Sequence, residues 1–222
     1  MLIPVFLYFA WVAGNWGIAD VYARPAILTL NGWKRGTVQI KPDEWAGLIS
    51  DLTRALALDK DNPEIHDWLG LAIEGPYVNG MGDWVKASKA RRLAAEHYRE
   101  SIRLQPTWPF AWADLATVKY RLRQFDPELV QALHKSIELG PWEPGIQRVV
   151  ANIGMIMWYR LSDADRVFIL GVIRRSFMYV NENHVKNMKA LIERQNFKDR
   201  VCRKPDVNEP LKEYCSDHQS KT

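Results

Sequence analysis

From residue 43 to residue 197 the chain repeats one hydrophobic signature. In DEWAGLISDLTRALAL (43–58) apolar side chains fall at Trp45, Leu48, Ile49, Leu52 and Leu56. The i, i+3, i+4, i+7 spacing gathers them on one face of an amphipathic helix, and Asp43 stands where an N-cap is needed. The same spacing predicts helices over 63–74, about 86–104, 109–123, 127–139, 144–160, from a Ser162/Asp163 cap to about 180, and 182–197. Ser162 and Asp165 have the separation of a capping box, with Asp in the reciprocal place. No segment alternates convincingly as a strand does, so the fold class is all-α.

The helices share a register. Pro63, Pro109 and Pro144 each open a helix, where a fixed φ and a missing donor cost nothing. Eight residues before each proline stands a small residue (Ala55, Ser101, Ser136), six after it an apolar one (Leu69, Leu115, Val150), and seven after it another small one (Gly70, Ala116, Ala151). Small residues at fixed intervals are what close helix crossings require. The pattern resembles the tetratricopeptide repeat, a pair of antiparallel helices of about 34 residues. The prolines at 109 and 144 are one such period apart. Those at 63 and 109 are farther apart, and the surplus falls in EGPYVNGMGDWVKAS (74–88), whose glycines and Pro76 break a helix. A tetratricopeptide-like solenoid of about three to four helix pairs is therefore expected over 43–197.

The flanks read differently. MLIPVFLYFAWVAGNWGIA (1–19) has no ionisable side chain and only Asn15 as a strongly polar residue. Residues 1–23 thus read as a hydrophobic helix serving as membrane anchor or export signal, the alternative being a buried helix docked on the domain. Residues 24–42, with Pro25, Gly32, Gly36 and Pro42, read as a connector, and 198–222 as a polar, poorly ordered tail. The tail holds both cysteines, Cys202 and Cys215, which can close a small disulfide loop in an oxidising compartment.

Composition narrows the function classes. The net charge of +4 arises from 30 basic and 26 acidic residues mixed along most of the chain, without the clustered basic face of a nucleic-acid binder. No phosphate loop, HExxH or GxSxG elbow is present, the five histidines lack ligand spacing, and no cofactor or metal is indicated.

In a helical solenoid, binding lies on the concave face built by the first helix of each pair. Counting from the aligned prolines, that face carries Glu64 and Asp67, then Thr117 and Tyr120 with Arg121 beside them, then Arg148 and Asn152. These seven are the candidate binding residues for a peptide or a partner's helix. A glycan-cleaving enzyme would need a facing carboxylate pair. Glu64 and Asp67 are three apart on one helix face, but nothing in the sequence removes either from water, and the chain reads as non-enzymatic.

Two segments go beyond the generic repeat: PTWPFAWADLATVKYRL (106–122) and ELGPWEPGIQRVV (138–150). With RALALDKDNPEIHDWLGLAIE (54–74), they resemble the VpsP-type polysaccharide biosynthesis proteins of bacterial exopolysaccharide gene clusters, over roughly residues 45–180. Lys119 departs from the repeat pattern, since a large apolar residue is usual there. The resemblance implies a non-enzymatic scaffold or adaptor in assembly or export of a surface polysaccharide. It would be membrane-anchored, with the repeat domain in the periplasm and protein partners in an envelope complex. The alternative is an accessory structural subunit of another membrane-protein complex.

Overall fold

The computed structural model describes residues 3–78, 83–178, 182–203 and 209–219. These residues form helices and no strand. In chain order the helices are α1 (Ile3–Lys34), α2 (Glu44–Leu58), α3 (Pro63–Glu74), α4 (Trp84–Leu104), α5 (Pro109–Arg121), α6 (Pro127–Leu139), α7 (Pro144–Ile156), α8 (Asp163–Ser176), α9 (Glu182–Arg194), α10 (Lys198–Cys202) and α11 (Glu209–Gln219), with 3₁₀ turns at Gly75–Tyr77 and Trp158–Arg160. The chain divides into two compact units, Met1–Leu129 and Val130–Thr222, and the division falls inside α6. In the first unit α1 packs on α2, α2 on α3, α3 on α4 and α4 on α5, and α1 also touches α3. In the second, α7 packs on α8 and α9, α8 on α9 and α10, and α10 on α11.

The starts of the helices are set locally. Asn62 Oδ1 accepts from the backbone N–H groups of Glu64 and Ile65 at 3.0 and 3.2 Å, Asp83 Oδ1 from Val85 N at 2.8 Å, and Ser162 Oγ from Asp165 N at 3.2 Å, each satisfying donors that a first turn leaves orphaned. Pro63, Pro109 and Pro144 open α3, α5 and α7.

Each of these three proline junctions carries the same hydrogen bonds. The last carbonyl contacts run Asp59 N to Ala55 O, Gln105 N to Ser101 O and Gly140 N to Ser136 O, and the turns close with Asn62 N to Asp59 O, Trp108 N to Gln105 O and Glu143 N to Gly140 O. Three unlike side chains then do one job. His66 Nε2 meets Lys60 O at 3.1 Å, Trp112 Nε1 donates to Pro106 O at 2.9 Å, and Gln147 Nε2 donates to Pro141 O at 2.7 Å. All stand three residues after the helix-opening proline and tie α3, α5 and α7 to the turns that precede them. The aligned small residues Ala55, Ser101, Ser136, Ala116 and Ala151 are fully buried. A Cβ added at Gly70 would lie 2.8 Å from the Tyr98 ring, so only glycine allows that crossing.

Lys119, the polar intruder of the sequence pattern, is also fully buried. Its stem fills the position of an apolar side chain, and its ammonium reaches Asp126 Oδ2 at 2.8 Å and pairs with Glu128. Glu128 is in turn held by Arg99 through two hydrogen bonds at 2.7 and 2.9 Å. These donors hold the Glu128 carboxyl well below the usual range, to about 2, Arg99 being the largest cause.

Several boundaries differ from those predicted, among them the ends of α7, at Ile156 rather than 160, and of α9, at Arg194 rather than 197. The helix expected to end near residue 23 runs on through Pro25 to Lys34. Ala19, Ala23, Ala26, Ile27 and Leu30 form one buried stripe on it, and that packing outweighs the loss of one helical hydrogen bond at proline. The true break is at Gly36, in the left-handed region at φ 75°, with Gly36, Thr37 and Val38 N–H groups returning to Trp33 and Gly32 carbonyls. The helix expected to reach about 180 ends at Ser176, and the loop insertion contributes Gly75–Tyr77 as a 3₁₀ turn, its residues 79–82 lying outside the described ones. The segment expected to be a disordered tail supplies α10 and α11, whose Val201, Leu211 and Tyr214 are buried. Cys202 and Cys215 form a disulfide with Cα atoms 5.6 Å apart.

Candidate functional site

The first unit holds a cleft of about 470 Å³ where the end of α1, the start of α3 and the turn into α5 converge. α1 contributes Asn31 and Lys34, α3 contributes Glu64, Asp67 and Trp68, and the α4–α5 turn with the first residues of α5 contributes Gln105, Trp108 and Phe110. The helical period sets this up: Glu64, Asp67 and Trp68 are one turn of one face. The walls are aromatic, with the Trp108 and Phe110 rings 5.2 Å apart and inclined at 49°. At one side the Lys34 ammonium lies 3.0 Å from Asp114 Oδ2 and 6.0 Å from the Phe110 ring centre.

Asp67 is the unusual group. It is buried, and its Oδ1 accepts no hydrogen bond. Burial, and then repulsion from Asp114, push its carboxyl up to about 7, against the pull of Lys34 and of a hydrogen bond from Trp108. Lys34 is raised as well. Its side chain is 41% exposed, and the desolvation that would lower its ammonium is outweighed by Asp114, Asp67 and Glu74.

Next to the cleft along the same helices lies a buried ionic cluster. Glu74 is raised by burial and held by Arg121, whose Nη1 is 2.8 Å from Glu74 Oε2, while the Tyr98 hydroxyl donates to Glu74 Oε1 at 3.4 Å.

The structure thus brings Glu64 and Asp67 into one cleft. Arg121 is spent on Glu74, and the Thr117 hydroxyl donates within its own helix to Ala113 O at 2.8 Å. Tyr120 has its ring 6.4 Å from that of Phe125. In the second unit, Arg148 and Asn152 line a separate depression of about 430 Å³ with Asn187 and Arg194, and Asn152 Oδ1 accepts from Gln195 Nε2 at 3.2 Å. Among the described residues no group of His, Cys, Asp and Glu side chains is arranged to hold a metal ion.

Sequence reasoning placed Asp67 on an exposed concave face and missed its burial. It also missed Lys34, which fell in the expected connector, and Trp108. A run of small residues at Ala19, Ala23 and Ala26 was the available signal that α1 continues against a partner helix.

The first turns of α1 present another surface. Ile3, Phe6, Leu7, Tyr8, Phe9, Trp11 and Trp16 are exposed, and burial begins only at Ala19. Among the described residues no helix is long and apolar enough to cross a membrane. Comparison of the chain with protein-family models and with curated proteins finds no match.

Proposed function

We propose that the chain is a non-enzymatic, tetratricopeptide-like adaptor that holds together protein components in the assembly or export of a bacterial surface polysaccharide. The observation that carries the repeat reading is the threefold recurrence of one hydrogen-bond set at Pro63, Pro109 and Pro144, with His66, Trp112 and Gln147 in a common role. Unrelated side chains serving one geometry are what a degenerate repeat leaves when the backbone unit outlives its sequence. The VpsP-type resemblance of PTWPFAW and LGPWEP supplies the polysaccharide context.

The exposed, apolar start of α1 is the part that meets lipid. Residues 3–18 span about 24 Å as a helix, short of the roughly 30 Å hydrocarbon core, so this segment anchors by insertion without crossing. The Cys202–Cys215 disulfide suits an oxidising compartment and supports a periplasmic location for the repeats.

Two measurements test it. The full chain should stay with the membrane fraction through a carbonate wash, and release into the supernatant would sink the anchor. Affinity purification from a polysaccharide-producing cell should recover envelope assembly proteins. Recovery of none would remove the adaptor assignment.

A further inference from the structure

The cleft of the first unit has a charge pattern that selects among ligands. Its resident cation, Lys34, is already committed to Asp114 at 3.0 Å. Glu64 and Asp67 remain, and Asp67 has a buried oxygen that accepts no hydrogen bond, an arrangement that is costly unless something answers it. The walls are Trp68, Trp108 and Phe110, rings whose faces attract cations. The Lys34 ammonium lies 6.0 Å from the centre of one of them, Phe110. The volume is that of a small-ligand pocket.

We propose that this cleft binds a cationic side chain of a partner segment, a lysine ammonium or an arginine guanidinium, with Asp67 as its counter-ion and the indoles of Trp68 and Trp108 as its walls. A neutral saccharide would also stack on these rings, but its hydroxyls would leave the negative surplus around Asp67, Glu64 and Asp114 unbalanced. A cation balances it and gives the free Asp67 oxygen a charge-assisted hydrogen bond. Asp114 acts on both groups, raising Lys34 against the effect of burial and adding to the burial that raises Asp67. The protein source of the cation rests on the adaptor reading, while the chemistry of the site does not.

The test is titration of the full chain, in non-ionic detergent, with the methylamides of N-acetyl-lysine, N-acetyl-arginine and N-acetyl-norleucine and with cellobiose, followed by calorimetry and saturation-transfer NMR. The two cationic probes should bind saturably, with dissociation constants on the order of millimolar for so small a ligand, and norleucine amide and cellobiose should not. Asp67→Asn, which keeps the shape and removes a buried charge, should weaken the cationic probes about tenfold or more, with an unchanged far-UV spectrum. Equal binding of norleucine amide, preference for cellobiose, no binding of either cation, or undiminished binding by Asp67→Asn would each overturn the site. A chain that binds the probes yet recovers no envelope protein would overturn the adaptor reading alone. Probes that fail while partners are recovered would overturn the cation site alone.

Discussion

The two compact units bury their polar groups in opposite ways. In the first, Asp67, Glu74, Arg91 and Lys119 are buried ionisable residues, with His66 beside them. In the second, the buried polar residues among those described are Ser136, Gln147, Ser176 and His184, groups that need only neutral hydrogen bonds. Gln147 supplies two, donating to Pro141 O and accepting from His184 Nε2 at 2.9 Å. Burial lowers the pKa of His184, with Arg148 adding to the effect, which favours the neutral ring. The second unit instead closes its end covalently through Cys202 and Cys215. Buried charge costs desolvation that its partners offset only if geometry is good. Of the buried ionisable groups of the first unit, Asp67 is the one that lines the cleft.

The contrast can be broken most readily at Arg121. Arg121→Ala leaves Glu74 without its ion-pair partner and should cost about 3 kcal/mol, read as faster amide exchange in peptides from 63–129. Exchange across 144–202 should not change, and a uniform loss would dissolve the distinction. The opposite variant, Cys202→Ser with Cys215→Ser, opens a link 13 residues long and should cost about 2–3 kcal/mol. That loss should appear in peptides from 184–216 and leave the first unit alone.

The smallest effect sharpens the comparison through pH. Asp67 is raised from 3.8 to about 7, so across that window the folded state holds a proton the unfolded state has released. Stability from this group therefore falls as pH rises from about 4 to 7. The groups acting on it are Lys34 on α1, Glu64 on α3, and Asp114 and Trp108 at α5. Asp67→Asn removes the dependence, and relative to the natural chain it should gain on the order of 1–2 kcal/mol at pH 8 and little at pH 4. Urea midpoints at the two pH values decide it. A variant equally displaced at both would mean that Asp67 is ionised throughout.

Much of the helical architecture was legible because local rules govern it. Asn62-Pro63, Trp108-Pro109 and Glu143-Pro144 mark helix starts by backbone chemistry alone, and the 3.6-residue stripe and its small-residue notches mark the faces that pack. Where prediction failed, a long-range contact had overruled a local preference. Pro25 and the glycines after it argued for a connector, but the alanine stripe of α1 is buried against α2 and α3, and packing carries the helix to Lys34. The polar composition of 198–219 argued for disorder, yet one disulfide and the burial of Val201, Leu211 and Tyr214 hold two helices there.

The candidate site divides along the same line. The helical class, the small residues at fixed intervals from the aligned prolines, and the shared face of Glu64 and Asp67 were legible in the chain, since these depend on neighbours three or four residues away. Tertiary packing alone brings Lys34 to Asp114, 80 residues on, pairs Arg121 with Glu74, and buries Asp67. The electrostatic character of a carboxyl depends on how much water and which charges surround it, and those are set by helices remote in the chain.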